Sequence, residues 1–269
     1  MNEMNMGNLI IIGGAEDKTG ECIILKTFVT LSGAAGAKLT VITTATEMPG
    51  EAGNQYKTLF TALGAHFTSI LNINTRDDAD MDINAKLISE SNGIFFTGGD
   101  QLRITSILGG TKVYTALHNA YKAGATIAGT SAGASAMSKT MIVDGNNNDP
   151  ARKCTLKMAP GLGLLEQALI DQHFHQRGRI GRLLCGVAEN PSILGIGIDE
   201  DTAVRVFPDD HFEVVGSNSV TVVDGRNIKS SNVSELKPDE NLAIANVVLH
   251  VLPAGYGYNL LSREVMRLH

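Results

Sequence analysis

The chain has 269 residues, of which 43% are hydrophobic and 19% are charged, a composition typical of a folded globular protein rather than a disordered one. Its net charge of −6 disfavours nucleic acid or an anionic membrane as the main partner. The sequence has no apolar run near the roughly 20 residues of a membrane span and no signal-peptide pattern at Met1–Gly7, so a cytoplasmic protein is expected.

In the first half, strand-length apolar runs alternate with helix-length segments. The predicted strands are Asn8–Ile12, Leu39–Thr43, Phe67–Leu71, Gly93–Thr97 and Ala125–Gly129. The predicted helices between them are Glu21–Ala35, Glu51–Leu63, Met81–Glu90 and Lys112–Lys122. This alternation implies right-handed crossovers and a mostly parallel sheet with helices on both faces.

The second half changes to shorter elements. A polar loop is predicted at Gly145–Pro150, followed by a turn and strand over Gly161–Ile170 and a helix over Gln176–Val187. Short strands are then predicted at Ile193–Ile198, Ala203–Phe207, His211–Val215 and Val220–Val223, with a hairpin at Pro208-Asp209-Asp210. Because no repeat or linker is visible, we expect one α/β domain over residues 1–269 with a C-terminal antiparallel extension.

The three cysteines are widely spaced and contain no C-x-x-C pair. This pattern favours reduced thiols and disfavours a zinc site. We expect all three to be small buried residues: Cys22, Cys154 and Cys185.

The most informative motif is Gly129-Thr130-Ser131-Ala132-Gly133, a G-x-S-x-G sequence between a predicted strand and a segment of small, helix-compatible residues. Such a turn holds a nucleophilic serine in strained backbone with its hydroxyl exposed. The motif therefore predicts Ser131 as a nucleophile. Its elbow supplies the Ala132 amide to an oxyanion hole, and Gly98-Gly99 at the end of the preceding strand can supply a second amide, from Gly99.

A serine nucleophile needs a base and an orienting acid. His173 and His175 end a predicted strand, and His173 is the better candidate because Asp171 and Gln172 precede it. The run Asp199-Glu200-Asp201 ends another apolar strand, and spacing alone does not choose among its three carboxylates.

Polar and basic residues near these motifs are candidates for binding a substrate. Guanidinium groups bind carboxylates with two hydrogen bonds, and amides or carboxylates can bind a guanidinium in turn. The candidates are Gln101, Asp171, Gln172, Arg177, Arg179 and Arg182.

Together these motifs resemble the cyanophycinase family, over about Ile11 to Val206. The segments that carry the resemblance are Gly13-Gly14-Ala15-Glu16-Asp17, Gly98-Gly99-Asp100-Gln101, Gly129–Ala134, Asp171-Gln172-His173-Phe174 and Gly197-Ile198-Asp199-Glu200.

The resemblance implies a serine peptidase with a flavodoxin-like, class I glutamine-amidotransferase-like fold. Such enzymes degrade cyanophycin, a poly-aspartate backbone with arginine on each β-carboxyl, to β-Asp-Arg dipeptides. By motif matching, Ser131 is the nucleophile, His173 the base and Glu200 the acid, and the six candidates above form the substrate pocket. No metal or organic cofactor is expected, and the resemblance implies a homodimer.

Three other functions fit parts of the pattern. An α-aspartyl dipeptidase of similar fold would cleave Asp-X dipeptides and ignore the polymer. A non-catalytic binding protein would keep the strained turn only to form a ligand site. A lipase or esterase is disfavoured because those enzymes have the order serine, acid, histidine, whereas the candidate histidine here precedes the acid.

Overall fold

The computed structural model describes residues 6–153 and 156–268, so Cys154 lies outside the described residues. In chain order the α-helices are α1 (Ile23–Leu31), α2 (Pro49–Ala62), α3 (Arg76–Ala79), α4 (Asp82–Ser89), α5 (Gln101–Leu108), α6 (Lys112–Lys122), α7 (Ala132–Ala136) and α8 (Ile180–Glu189). The strands are β1 (Leu9–Ile12), β2 (Lys38–Ile42), β3 (Phe67–Leu71), β4 (Gly93–Phe96), β5 (Thr126–Thr130), β6 (Thr140–Gly145), β7 (Leu156–Pro160), β8 (Ala168–Gln172), β9 (Leu194–Ile198), β10 (Thr202–Val206), β11 (His211–Gly216), β12 (Ser219–Asp224), β13 (Ser230–Ser231), β14 (Ile244–Ala245), β15 (Val248–Pro253), β16 (Tyr256–Asn259) and β17 (Glu264–Arg267).

The main sheet has the strand order β17-β16-β11-β10-β1-β5-β4-β2-β3. Its β1, β5, β4, β2 and β3 are parallel neighbours, and β10, β11, β16 and β17 extend it through antiparallel pairs. The antiparallel pair β10–β11 is the hairpin predicted at Pro208–Asp210. The predicted α/β fold, with a parallel sheet and a C-terminal antiparallel extension, is confirmed.

Both faces of the main sheet are covered by buried apolar side chains. Successive side chains of a strand point to opposite faces. Leu9 and its neighbour Ile10 in β1 accordingly belong to different core clusters. On the Ile10 face, α1 and α2 place Phe28 and Phe60 against Phe95, with 5.3 Å between the Phe28 and Phe60 ring centroids. On the Leu9 face, α4, α5 and α6 pack together with strands of a second sheet.

The second sheet has the order β15-β12-β9-β8, in which β8 and β9 are parallel. Gln172 at the end of β8 pairs with Ile198 at the end of β9. The residues that follow these two parallel strands therefore leave the second sheet at the same end, and this brings His173 and Glu200 close together.

The helices differ from the prediction in two main ways, a late start of one helix and the omission of others. The helix predicted from Gln176 begins at Ile180, because His173 and Gly178 have positive φ angles of 46° and 57° that keep the intervening chain in turns. The prediction also omits the short helix α3 and the helix α5, which starts directly after Asp100. The Asp100 side chain caps this helix by accepting a hydrogen bond from the Leu102 amide at 2.7 Å.

Within the described ranges, no helix is both long and apolar enough to cross a membrane.

Candidate active site

Ser131 lies on a sharp turn between β5 and α7. Its φ of 53° and ψ of −108° form a backbone conformation that costs about 1–3 kcal/mol for a residue other than glycine. Small neighbours make the turn sterically feasible. A Cβ on Gly129 would lie 2.6 Å from the Gly133 carbonyl carbon, and a Cβ on Gly133 would lie 2.6 Å from the Phe96 oxygen. Both glycines of the G-x-S-x-G motif are thus required by packing, and the Ser131 side chain remains partly exposed.

His173 lies next to Ser131, with its Nε2 3.0 Å from the Ser131 Oγ. It immediately follows β8, and its backbone amide donates a hydrogen bond to the Gly13 oxygen at 2.7 Å. Gly14 packs against the imidazole so closely that a Cβ there would lie 2.3 Å from the His173 Cε1. The loop after β1 therefore holds both the backbone and the ring of His173 in place. The His173 side chain is 12% exposed.

The three consecutive acids after β9 make different contacts. Glu200 Oε1 lies 2.6 Å from His173 Nδ1. Asp199 accepts hydrogen bonds from the His175 amide at 3.0 Å and from the Ser219 hydroxyl at 2.9 Å, and Asp201 accepts from the Asp17 amide at 2.8 Å. Tertiary contacts thus separate the carboxylates that spacing left equivalent.

The surroundings of His173 favour its neutral form. Burial lowers the pKa of the imidazole, and the nearby cations Arg177 and Arg179 lower it further, whereas the hydrogen bond to Glu200 acts in the opposite direction. Because a carboxylate only accepts hydrogen bonds, the proton of the neutral ring is assigned to Nδ1. Nε2 is then left as an acceptor for the Ser131 hydroxyl proton, so this arrangement can move a proton from serine to histidine.

Two backbone amides beside Ser131 have the properties of oxyanion donors. Ala132 is the first residue of α7. Gly99 lies in a turn next to Ser131: a Cβ built on the preceding residue, Gly98, would be only 3.5 Å from the Ser131 Cβ. Within residues 6–153 and 156–268, neither the Gly99 nor the Ala132 amide donates a hydrogen bond. Gly99 has a φ of 142°, and a Cβ there would lie 2.1 Å from the Ala45 oxygen.

Four of the six predicted substrate-binding residues contact one another. The carboxylate of Asp171 is fully buried and binds Arg182 through both oxygens, with an Arg182 Nε–Oδ2 distance of 2.7 Å. Arg179 Nη1 lies 3.4 Å from the Asp171 Oδ1 and 3.0 Å from the Gln172 Oε1. We call Asp171, Arg179 and Arg182 the arginine cluster. Its two guanidinium groups and one carboxylate leave a net positive charge.

The arginine cluster and Gln101 hold β6 and the loop that follows it. Arg182 Nη1 donates to the Gly145 oxygen at 3.0 Å, and Arg179 Nε donates to the Asn147 Oδ1 at 2.9 Å. Gln101 Nε2 donates to the carbonyl oxygens of Ile142 and Val143, at 2.9 and 2.7 Å. The exposed loop predicted at Gly145–Pro150 is therefore tied to these side chains.

Arg177 stands apart from the arginine cluster. Its side chain is exposed, and it makes no hydrogen bond or ion pair in the part of the chain that the structure describes. It contributes positive charge close to His173.

Sequence reasoning gave no individual role to the Gly13–Asp17 loop or to the loop after β6. The glycine pair Gly13-Gly14 at a strand end was the available signal for the first. No local pattern links Asn147 to Arg179, because their contact joins segments 32 residues apart.

Comparisons with known proteins agree with this fold. The model of Peptidase family S51 matches residues 9–215. A cyanophycinase from Trichormus variabilis is 38% identical, covering 96% of this chain and 87% of its own length. Another cyanophycinase, from Geminocystis herdmanii, is 34% identical and covers 99% and 98%.

Two solved structures share the fold at lower identity. The crystal structure of a peptidase from an acI-B1 Actinobacterium has a TM-score of 0.67 at 21% identity and covers 99% of this chain and 98% of that one. A putative Peptidase E protein from Listeria monocytogenes EGD-e has a TM-score of 0.54 at 20% identity and covers 79% and 98%. With the family model matching most of the chain, the conclusion is that this protein is a peptidase and belongs to Peptidase family S51.

Proposed function

We propose that this peptidase hydrolyses cyanophycin and releases β-Asp-Arg dipeptides, with Ser131, His173 and Glu200 as its catalytic triad. The observation that carries the proposal is the continuous hydrogen-bonded chain from the Ser131 Oγ through the His173 ring to the Glu200 carboxylate, at 3.0 and 2.6 Å. The names of the full-length relatives support the choice of polymer.

In the first half of the reaction, the Ser131 Oγ bonds to the carbonyl carbon of the scissile peptide while its proton passes to the His173 Nε2. Glu200 stabilises the imidazolium that forms. The free amides of Gly99 and Ala132 bind the carbonyl oxygen as it becomes negative, an interaction worth about 3–4 kcal/mol per donor in serine peptidases.

The second half releases both products. Collapse of the tetrahedral intermediate breaks the C–N bond, and His173 returns its proton to the leaving amine. Water then attacks the ester on Ser131, again losing its proton to His173, and the serine hydroxyl is regenerated.

The charges around the site fit a substrate that carries both carboxylates and guanidinium groups. Arg177 is exposed beside His173 and is the residue best placed to bind a substrate carboxylate directly. We propose that Arg179, Arg182, Asp171, Gln172 and Gln101 form the rest of the pocket, largely by holding β6 and the loop after it in shape.

Incubation with insoluble cyanophycin tests the proposal. We expect soluble β-Asp-Arg to be identified by mass, and we expect a folded Ser131→Ala variant to release none. A set of α-Asp-X dipeptides serves as the competing substrate. Cleavage of those dipeptides without release from the polymer would identify an α-aspartyl dipeptidase, and binding of cyanophycin without any cleavage would identify a binding protein.

A further inference from the structure

A buried carboxylate that the proposed mechanism does not use lies next to the turn that carries Ser131. Glu16 belongs to the loop that follows β1, residues Gly13–Asp17, and is 3% exposed. A buried charge is costly unless donors surround it. Glu16 has three of them: the hydroxyls of Thr130 and Tyr56 and the ammonium of Lys18.

The two carboxylate oxygens have separate partners. Oε2 accepts the Thr130 hydroxyl proton at 2.6 Å. Oε1 accepts from the Tyr56 hydroxyl and lies 2.9 Å from the Lys18 Nζ. Charge-assisted hydrogen bonds of this kind are the stronger class in proteins. Burial, together with the proximity of Glu16, raises the pKa of the Tyr56 phenol well above its ordinary value.

Thr130 is the residue immediately before Ser131. The strained backbone of Ser131, with its φ of 53°, persists only if the surrounding structure holds it. One backbone contact holds it: the Ser131 amide donates to the Ile12 oxygen at 3.0 Å. One side-chain contact adds to this: the hydrogen bond from Thr130 to Glu16 holds the last residue of β5 before the turn.

The same loop also contacts the segments that carry His173 and Glu200. The Gly13 oxygen accepts from the His173 amide, and Gly14 packs against the ring. The Gly14 oxygen accepts from the Asp201 amide at 2.9 Å, one residue after Glu200. Glu16 thus ties the serine turn to a loop that already fixes the other two groups.

We propose that Glu16 is a positioning residue of this peptidase, acting through the Thr130 hydroxyl to hold Ser131 at its hydrogen-bonding distance from His173. The inference rests on the proposed function of Ser131 as nucleophile. A residue of this kind touches no substrate, so its loss lowers kcat and leaves KM nearly unchanged.

Three variants separate positioning from general stability. Thr130→Val replaces the hydroxyl by a methyl group of similar size, and Thr130→Ser retains the hydroxyl. Tyr56→Phe is the matched control, because it also removes one hydroxyl from the Glu16 carboxylate but does so far along the chain from Ser131. Thermal unfolding of each variant reports the stability change.

The readouts are kcat and KM for dipeptide release and the rate at which a fluorophosphonate probe labels Ser131. For Thr130→Val we expect kcat and the labelling rate to fall together by about 10-fold to 100-fold, as small misplacements of reacting groups do, with KM within about twofold. Thr130→Ser and Tyr56→Phe should keep both rates within about threefold of the wild type, because both variants keep a hydroxyl at position 130 that can donate to Glu16. Glu16→Met replaces the carboxylate by an apolar side chain of similar length and removes the acceptor for the Thr130 hydroxyl. It should resemble Thr130→Val, and it decides the question if Thr130→Val does not fold.

Wild-type rates in Thr130→Val or Glu16→Met would overturn the proposal. Equal losses in Tyr56→Phe and Thr130→Val would also overturn it, because the effect would then follow stability rather than position. A wild-type protein that neither releases dipeptide nor reacts with the probe would refute the proposed function itself, which is a distinguishable result.

Discussion

At the scale of single residues, the proposed role of His173 as the base makes activity depend on the protonation of its ring. The imidazole accepts the serine proton only in its neutral form, and burial together with Arg177 and Arg179 lowers its pKa from the ordinary 6.5. The rate of Ser131 labelling should therefore rise with pH through the lowered pKa and be level by neutral pH.

Replacing Arg177 by glutamine should move this acid limb to higher pH. Removal of a neighbouring cation stabilises the protonated ring, so the pKa of His173 rises and more base is needed to reach the neutral form. The pH dependence of fluorophosphonate labelling measures the shift without depending on substrate binding. An acid limb that stays in place or moves to lower pH would contradict the assigned electrostatics.

Glu200 and its neighbour Asp201 provide a paired test of the acid. Glu200→Gln should lower kcat by about 10⁴-fold, the scale known for loss of the orienting carboxylate in serine peptidases. Asp201→Asn keeps an oxygen for the Asp17 amide and should lower kcat by less than about tenfold, since it leaves the His173–Glu200 contact in place. Steady-state assays on dipeptide release compare the two. Similar losses in both variants would contradict the proposed role of Glu200 as the orienting acid.

At the scale of elements, the loop after β1 determines where the histidine lies. Gly14→Ala adds a left-handed residue, which costs about 1–2 kcal/mol, and a methyl group only 2.3 Å from the His173 Cε1. Gly64→Ala is the matched control, because Gly64 has a similar φ of 99° and no atom within 4 Å of the added Cβ.

Both variants should lose stability in thermal unfolding, and Gly14→Ala should lose at least as much as Gly64→Ala because of the added overlap. Only Gly14→Ala should lose dipeptide release, by about 10-fold or more, as misplaced catalytic groups do. Retained activity in Gly14→Ala would mean that His173 can move aside without consequence. Lost activity in Gly64→Ala would trace the effect to folding instead.

Local sequence signals predicted some elements well. β3 and α6 have the predicted bounds at both ends, and Thr111 caps α6 by accepting from the Tyr114 amide. The assignment of β8 and β9 to a second sheet has no local signal, because it depends on strand pairing across the molecule.

The same limit applies to the candidate site. The G-x-S-x-G motif is local and predicted the turn at Ser131, whereas the contact between His173 and Glu200 joins residues 27 positions apart. Spacing therefore left three acids open, and the resemblance favoured Glu200 before geometry separated them. The role proposed for Glu16 depends on Thr130, 114 residues away, which no pattern in the sequence links to it.

At the scale of the whole molecule, the site forms where two sheets meet. Ser131 follows a strand of the main sheet, whereas His173 and Glu200 follow strands of the second sheet. Side chains from both sheets belong to one buried core cluster, which includes Leu9 of β1 and Ile170 of β8. Because close-packed cores resist small displacements, the three groups are held at hydrogen-bonding distance before any substrate binds.

Titration of the activity with a fluorophosphonate probe tests the central claim most directly. The fraction of chains modified at Ser131, measured by intact mass and peptide mapping, is plotted against the remaining release of β-Asp-Arg from cyanophycin. The account predicts a straight line that reaches zero activity at one label per chain, with the label on Ser131. Activity that survives complete modification of Ser131, or inactivation by a label on another residue, would contradict it.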